Sequence, residues 1–441
     1  MAQHFDLVVS GGTVVTGVGH DHADIGIVAG HIVEIGNLAR AEAERILDAQ
    51  GLHVLPGVID SQVHFREPGL EHKENLASGT AAAALGGVCT VFEMPNTSPA
   101  TTTMEALADK LARADGRSWT DYAFFIGACE ENIEELPVLE KLPGCCGVKI
   151  FMGSSTGTLL VPDDDTLERV LRSGSRRVAV HAEDEARLAE RRSIAESGDD
   201  PALHPQWRDV ETARLATERL MRLVTETRRP AHVLHITTAE EIAMLRGRPD
   251  WMSVECTPQH LTLEAPECYA ELGSLAQMNP PIREARHRQA LWQGLADGVV
   301  DVIGSDHAPH SREEKAKPYP DSPSGMPGVQ TLLPLMLDHV SAGRLSLDRL
   351  VELVSSTPAR LYQAHGKGAI RPGNDADLTL VDLKATRQVE SSWLASKCGW
   401  SPFEGRSLTG WPMATIIRGR EVMRDGELLG EPGGTAVRFD A

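Results

Sequence analysis

The sequence predicts an α/β fold: a (β/α)8 TIM-like barrel combined with a small β-sandwich domain formed from both termini. Three observations lead to this prediction. Eight apolar runs recur along the middle of the chain, helix-compatible stretches separate most of them, and short β segments occur near both ends. Continuous apolar strands that alternate with helices are typical of a parallel sheet covered on both faces.

The eight apolar runs are each followed by polar residues. The runs span residues 54–65, 88–94, 122–127, 147–152, 178–181, 232–236, 252–256 and 299–304. Helix-compatible stretches lie at 75–85, 167–171, 210–225 and 286–295. An open doubly wound sheet is the alternative, but no Gly-x-Gly-x-x-Gly follows a first strand. In a barrel, the polar residues would collect at the C-terminal strand ends, where such folds hold their chemistry.

The two ends of the chain have a different pattern. Short Val- and Ile-rich segments with glycine turns lie at 6–9, 25–28 and 31–35, and comparable segments lie at 377–382, 414–418 and 420–423. Such segments predict strands and hairpins. We expect residues 1–55 and 365–441 to form one composite β-sandwich domain, and residues 56–364 to form the barrel.

Composition restricts the partners and the compartment. A formal net charge of −20 argues against nucleic acid and anionic membranes as partners. No apolar run is long enough for a membrane span, and residues 1–10 lack the pattern of a secretory signal. The seven cysteines form no Cys-x-x-Cys pair, which predicts buried reduced thiols in a cytoplasmic protein.

The most informative segment is IDSQVHFREPG at residues 59–69. It has the pattern of a buried strand that ends in a polar loop. Alternate side chains of a strand point to the same side, so Gln62, His64 and Arg66 would line one surface. An imidazole beside a guanidinium indicates a metal ligand next to a group that binds an anion.

Further residues of this kind stand at the ends of other runs. They are Glu93, Asn96, Lys149, His181, His235, Asp306 and His310. A lysine inside an apolar strand is unusual because burying an ammonium group is costly, so Lys149 requires a carboxylate partner or a chemical modification. Each residue alone has an ordinary structural explanation, but their occurrence on successive strand ends of one barrel predicts a functional site.

This set resembles the metal centre of the amidohydrolase superfamily, and specifically that of the dihydroorotases. The resemblance covers almost the whole chain, from Asp6 to about residues 405–426. Four motifs carry it: REPG at 66–69, MPNT at 94–97, NPPIR at 279–283 and DHAPH at 306–310.

The resemblance implies a role for each metal-site residue. His64 would bind a first metal ion, and Lys149, carboxylated by CO2, would bridge two ions. His181 and His235 would bind the second ion. Asp306 would contact the first ion and shuttle the catalytic proton. Zinc is the implied metal, with one or two ions per chain, because imidazole and carboxylate ligands suit it.

The sequence departs from the family pattern at two glutamines. Gln62 stands where dihydroorotases carry a metal-binding histidine. An amide oxygen is a weaker, neutral ligand, so the first ion would be loosely held, absent, or bound with Gln62 as an outer ligand. Gln259 stands where dihydroorotases usually carry the first of two histidines after a proline, farther from the metals.

The same resemblance implies the substrate. Arg66, Asn96 and His310 would form a receptor for a substrate carboxylate, and Asn279 would also bind substrate. The implied substrate is a small anionic cyclic amide, and the reaction is the reversible hydrolysis of dihydroorotate to N-carbamoyl-aspartate in pyrimidine biosynthesis. Residues 307–328, which are rich in proline, would form a long loop that covers the substrate.

Two other functions remain open at this point. Gln62 favours a catalytically impaired structural subunit, associated with aspartate transcarbamoylase. The shared barrel and metal set would also suit a hydrolase of another cyclic amide, such as hydantoin or allantoin. Retention of all the other metal-site residues favours an active enzyme. We expect a homo-oligomer, either a dimer or a tetramer.

Overall fold

The structure is a computed structural model that describes residues 4–17, 19–155 and 159–440. Five strands come first in the chain. They are β1 (His4–Val15), β2 (His20–Val28), β3 (His31–Gly36), β4 (Glu42–Asp48) and β5 (His53–Pro56). β1 lies at the centre of this group, because it pairs with β2, with β4 and, at its C-terminal end, with β5.

The next eight strands form a parallel barrel. They are β6 (Val58–Val63), β7 (Val88–Glu93), β8 (Asp121–Gly127), β9 (Cys145–Phe151), β10 (Val178–His181), β11 (Ala231–Val233), β12 (Met252–Cys256) and β13 (Val302–Ile303). Their spatial order follows the chain from β6 to β13. The circle closes where Val63 forms a parallel bridge with His307 and the His64 N–H donates to the His307 carbonyl at 2.7 Å. The predicted barrel is therefore confirmed.

Four strands at the end of the chain complete the first sheet. They are β14 (Leu378–Gln388), β15 (Ser407–Ile417), β16 (Arg420–Arg424) and β17 (Glu427–Leu428). β5 pairs with both β1 and β14, so the two ends of the chain share one nine-stranded sheet. Val9, Ile25, Val54, Leu380 and Ile416 contact one another in a single buried cluster. The prediction that both termini build one β structure is confirmed.

The first apolar run, predicted as one strand over 54–65, divides between the two sheets. Its beginning lies in β5 and its remainder in β6. Gly57 lies between them, where a Cβ atom would come within 2.6 Å of the Asp377 Cβ. Because glycine has no Cβ atom, the chain at residue 57 can pass this close to Asp377. The boundary at residue 55 stays a prediction, and it falls within β5.

Within the described residues, sixteen α-helices accompany the strands. They are α1 (Leu76–Leu85), α2 (Met104–Ala114), α3 (Leu136–Leu139), α4 (Asp164–Arg172), α5 (Glu185–Glu190), α6 (Arg192–Ala195), α7 (His204–Trp207), α8 (Val210–Thr227), α9 (Ala239–Leu245), α10 (Pro258–Thr262), α11 (Glu267–Leu272), α12 (Ala285–Ala296), α13 (Arg312–Lys315), α14 (Leu332–Ser341), α15 (Leu347–Val351) and α16 (Thr357–Tyr362). The four predicted helical stretches lie at α1, α4, α8 and α12. Asn75 and Asp209 cap α1 and α8 with their side chains, as expected for these residue types.

Two further observations concern the expectations drawn from composition, one on membrane spans and one on cysteines. No helix in the described part of the chain has the length and apolar character that a membrane span requires. All seven cysteines are free; six are buried and Cys129 is half-buried.

Candidate active site

A small cavity lies at the C-terminal end of the barrel. Nine of the residues predicted from the sequence line it: Gln62, His64, Arg66, Asn96, Lys149, His181, His235, Asn279 and Asp306. They follow different strands and come together because parallel strands end at the same face of a barrel. The polar lining suits a small polar ligand.

Two imidazoles converge on one side of the cavity. His181 Nδ1 lies 3.1 Å from His235 Nε2, and the rings are nearly perpendicular at 78°. His181 Nε2 donates to Glu183 Oε2 at 2.9 Å, which leaves Nδ1 for the cavity. Burial raises the pKa of Glu183, but Arg208 and His181 outweigh it and lower the pKa to about 2, so Glu183 is ionised. A carboxylate behind a histidine is the usual support of a metal ligand.

A second group lies across the cavity. His64 Nδ1 donates to Asn96 Oδ1 at 2.7 Å, and His64 Nε2 lies 3.2 Å from Asp306 Oδ1. The Gln62 amide donates to the same Asp306 oxygen at 3.0 Å. Gln62 Oε1 is buried without a hydrogen-bond partner. His64 and Asp306 therefore present one nitrogen and one carboxylate side by side, with the free amide oxygen nearby.

The backbone is strained at three of these positions. Arg66, His235 and Asp306 have φ values of +65°, +36° and +44°. Residues other than glycine rarely adopt this region, and such strain is concentrated at functional sites.

Lys149 lies between the two groups and is almost fully buried. Within the described residues, no carboxylate oxygen lies within 4.0 Å of its ammonium group, which instead lies 4.5 Å from the centre of the Phe151 ring. Burial lowers its pKa to about 7, although Asp306 and Glu255 act in the opposite direction. The sequence predicts a partner carboxylate or a modification; the described residues supply no such carboxylate, and the modification of Lys149 stays a prediction.

The donor set fits a metal centre. Two nitrogen ligands of a tetrahedral zinc ion at about 2.0–2.1 Å would be separated by roughly 3.3 Å. The His181 and His235 nitrogens are 3.1 Å apart, and His64 Nε2 and Asp306 Oδ1 are 3.2 Å apart. The unpartnered Gln62 oxygen adds a potential neutral ligand. These distances need only small adjustments to hold an ion.

A cluster of Asp121, Asp375 and Asp377 also brings three carboxylates close together. It lies at the opposite end of the barrel and holds the Lys367 ammonium at 2.6, 2.9 and 2.6 Å. The ammonium occupies the place that a cation would take, so this cluster is an ion-pair network and not a metal site.

Arg66 forms the wall next to His64 and is almost fully buried. Its Nε donates to the Pro309 carbonyl at 3.2 Å, but its Nη1 has no hydrogen-bond partner. The neighbouring Glu67 does not neutralise it, because Glu67 binds Arg117 at 2.7 Å. Burial lowers the pKa of Arg66 to about 10, so the guanidinium stays charged at neutral pH. The cavity wall therefore contains a cation with no paired anion among the described residues.

His310 lies behind Arg66 and does not line the cavity. Lys73 Nζ donates to His310 Nδ1 at 3.1 Å, so Nε2 carries the proton and donates to the Ser324 carbonyl at 3.0 Å. Burial and the nearby Arg66 lower the His310 pKa to about 3. In this structure His310 is neutral and positions the wall around Arg66, 3.4 Å from its Nη2.

The outer rim contains residues that the sequence analysis did not single out. They are Phe151, Ser155, Ala308, Ser324 and Gly325. Asn279 joins this rim, where its amide donates to Ser155 Oγ at 3.3 Å. Ser324 and Gly325 belong to the loop predicted at 307–328, so that loop does contribute to the cavity. Phe151 and Ser155 gave no signal beyond following the β9 run.

Comparisons with known proteins agree with this geometry. Residues 53–422 match the model of the amidohydrolase family. The chain is 36% identical over 409 residues to a dihydroorotase of Methanothermobacter thermautotrophicus, with 92% of each protein covered. It is 36% identical to an allantoinase of Rubrobacter xylanophilus, with 98% of each covered.

Among solved structures, the L-hydantoinase from Arthrobacter aurescens is similar, with a TM-score of 0.93 and 31% identity. That similarity covers 98% of this chain and 99% of the other. Because these matches extend through both the barrel and the sheet beside it, the chain belongs to the amidohydrolase family.

Proposed function

We propose that the protein is a zinc-dependent dihydroorotase that catalyses the reversible hydrolysis of dihydroorotate to N-carbamoyl-aspartate. The same proposal includes a cytoplasmic location and a role in pyrimidine biosynthesis, where the cyclisation direction forms the ring. The similarity to dihydroorotases supports it, and so does the small polar cavity at the barrel end.

The observation that supports a carboxylate substrate is Arg66, which has no paired anion among the described residues. A buried guanidinium without an anion is costly, and a carboxylate is the ligand that its planar donors fit best. Dihydroorotate carries a carboxylate, whereas unsubstituted hydantoin and allantoin do not. Asn96, beside His64, and Asn279, at the rim, would contact the rest of the substrate.

The residues that would hold zinc are His64, Lys149, His181, His235 and Asp306, with Gln62 as a possible additional ligand through its free oxygen. Lys149 would act as a carbamate, because its neutral amine can add to CO2 and the product would supply the missing carboxylate. When bound, zinc would polarise the amide carbonyl and lower the pKa of a water molecule.

The other steps belong to the chain's own residues. Asp306, whose Oδ1 accepts a hydrogen bond from the Gln62 amide and lies 3.2 Å from His64 Nε2, would accept a proton from the attacking water and return it to the leaving ring nitrogen. Arg66 would bind the substrate carboxylate before and during the reaction, which fixes the ring against the reacting groups. In cyclisation the same groups would act in reverse.

Substitution of Arg66 tests the substrate assignment. In Arg66→Met, loss of a buried charge-assisted pair should cost about 2–5 kcal/mol, with KM for dihydroorotate rising more than kcat falls. Arg117→Met, which removes an arginine directed at Glu67, serves as the control. Unchanged dihydroorotate kinetics in Arg66→Met would remove the assignment.

Hydrolysis of a neutral cyclic amide is the second candidate, and the extensive similarity to the allantoinase and the L-hydantoinase favours it. Assays of the parent protein with dihydroorotate, hydantoin and allantoin separate the two. Turnover of hydantoin or allantoin equal to that of dihydroorotate would establish the second candidate. We expect dihydroorotate to be preferred, because only its carboxylate neutralises Arg66.

Assembly and the structural-subunit alternative are part of the same proposal. Gln62 is the feature that would suit an impaired partner of aspartate transcarbamoylase. Zinc analysis and a dihydroorotate assay on the purified protein address this directly, and its mass in solution, alone and with aspartate transcarbamoylase, tests for a dimer, a tetramer or a mixed complex. A metal-free, inactive protein that binds the transcarbamoylase would replace the enzyme proposal.

A further inference from the structure

Lys315, the last residue of α13, is a buried lysine outside the catalytic set. Its ammonium group donates to three backbone carbonyls: Gln277 at 3.1 Å, Pro323 at 2.8 Å and Gly325 at 3.1 Å. In the described part of the chain it has no carboxylate within 4.0 Å. Three carbonyls satisfy all three donors of an ammonium group without neutralising its charge. Such a costly arrangement calls for an explanation.

The carbonyls belong to segments that meet at the cavity rim. We call residues 322–325 the cover segment. The side chain of Gln277 donates to the Ser322 carbonyl at 3.0 Å, and the Gly325 N–H donates to the Gln277 carbonyl at 2.9 Å. Lys315 therefore binds both sides of the contact between Gln277 and the cover segment.

The cover segment reaches the anion receptor. Ser324 and Gly325 line the cavity. The Ser324 carbonyl accepts a hydrogen bond from His310, whose imidazole lies 3.4 Å from Arg66 Nη2. The backbone at Gly325 packs so closely against Ala308 that a Cβ atom there would lie 2.4 Å from the Ala308 carbonyl oxygen. A displacement of this segment would open the wall beside Arg66 and admit water to it.

We propose that Lys315 is a positioning residue that holds the cover segment closed beside Arg66, and thereby sets the affinity for the substrate carboxylate. This inference rests on the proposed function for its effect on the substrate. The hydrogen bonds of Lys315 reach none of the residues that would hold zinc, so the chemical step does not depend on it directly. Its loss should weaken binding and leave the chemical step nearly intact.

The test is Lys315→Met, with Lys317→Met as the matched control two residues along the chain, where the lysine is exposed. We expect KM for dihydroorotate to rise about tenfold in Lys315→Met while kcat changes less than about threefold. Hydrogen exchange should become faster at residues 320–328, including the Gly325 amide, and stay unchanged in the barrel strands. Lys317→Met should match the parent. Parent-like exchange and KM in Lys315→Met would overturn the inference.

A second variant covers the case in which Lys315→Met loses its fold. Lys315→Ala leaves space for propylammonium, which can donate to the same three carbonyls. Addition of propylammonium should restore slow exchange at residues 320–328 and lower KM towards the parent value. Absence of recovery would overturn the inference. If the parent does not turn over dihydroorotate but the exchange effects appear, the proposed function is wrong and the closure by Lys315 stands.

Discussion

Lys149 and Lys367 are both buried, at opposite ends of the same barrel, and their surroundings differ completely. Lys149, at the C-terminal end, has no carboxylate within ion-pair distance in the described residues, and burial lowers its pKa to about 7. Lys367, at the N-terminal end, is surrounded by Asp121, Asp375 and Asp377. Although burial opposes it, these carboxylates raise the Lys367 pKa far above its usual range.

This difference distinguishes buried charges that stabilise the fold from buried charges that serve the candidate site. At the N-terminal end, the network joins β8 of the barrel to the start of β14, and Arg418 of the terminal sheet also binds Asp121 at 2.7 Å. Its charges are paired within the chain. At the C-terminal end, Lys149 and Arg66 lack such partners among the described residues, which is the pattern expected of charges that serve a binding or catalytic site. Four substitutions test this distinction.

The largest effect is expected for Lys149→Met. Without the lysine the metal ligands lose their central member, so zinc content should fall and dihydroorotate turnover should decrease roughly 10³-fold or more, about 4 kcal/mol in the activation free energy. In the metal-free protein, where the lysine is unmodified, the free energy of unfolding should not decrease, because the buried amine that is removed has no carboxylate within 4.0 Å among the described residues. Elemental analysis, kinetics and urea unfolding measure these quantities. Lys141→Met, at an exposed lysine, is the control; a large loss of stability in Lys149→Met would contradict the comparison.

The opposite result is expected for Lys367→Met. The substitution leaves buried carboxylates without their cation, which should lower the free energy of unfolding by about 3–5 kcal/mol. The molecules that remain folded should keep their zinc and their turnover. Lys384→Met, on the exposed side of β14, should unfold like the parent. Full stability of Lys367→Met would show that the network does not hold the two sheets together.

The effect of Gln62→His should be smaller than that of Lys367→Met, and it should be confined to zinc binding. A second imidazole would strengthen the site formed by His64 and Asp306, whereas the site formed by His181, His235 and Lys149 already has its expected ligands. We expect the parent to bind one zinc ion more tightly than the other, and the variant to bind both tightly. Two tight ions in the parent, with no gain in Gln62→His, would contradict this.

The smallest effect is expected for Arg418→Met. Arg418 is partly exposed, and Lys367 remains to neutralise Asp121 after its removal. The free energy of unfolding should fall by about 1 kcal/mol, the upper range for an exposed ion pair. A decrease in the free energy of unfolding as large as that of Lys367→Met would mean that Arg418 contributes as much as Lys367 to holding the two sheets together.

The barrel and most of its site could be predicted from the sequence because the signals are local. Six of the eight apolar runs carry a candidate site residue at or near their ends, and the parallel arrangement brings those ends together without further information. The single strand predicted over 54–65 shows the limit of this reasoning. That run divides between two sheets because β5 pairs with β1 and β14 whereas β6 pairs with β7, and β14 is far from β5 in the chain.

Charge balance could not be predicted in the same way. Lys367 forms an ion pair with Asp121, which is far away in the sequence, and no local sequence pattern near either residue predicts this pair. The pairing of Glu67 with Arg117 leaves Arg66 unbalanced, although Glu67 is its neighbour in sequence. The resemblance implies that His310 binds substrate, which stays a prediction; in the structure its contacts place it behind Arg66. These outcomes depend on which long side chains meet in three dimensions.

The position of β5 between β1 and β14 also has a consequence for the order of synthesis. The ribosome completes β5 about 320 residues before it begins β14, a delay of roughly 15 to 65 s at ordinary translation rates. During that interval the apolar faces of β1, β2 and β5 have no partner from the other end of the chain. The first strands made are thus among the last to gain a complete core, and ribosome-bound chains that end before residue 378 should remain open to proteases at residues 4–56.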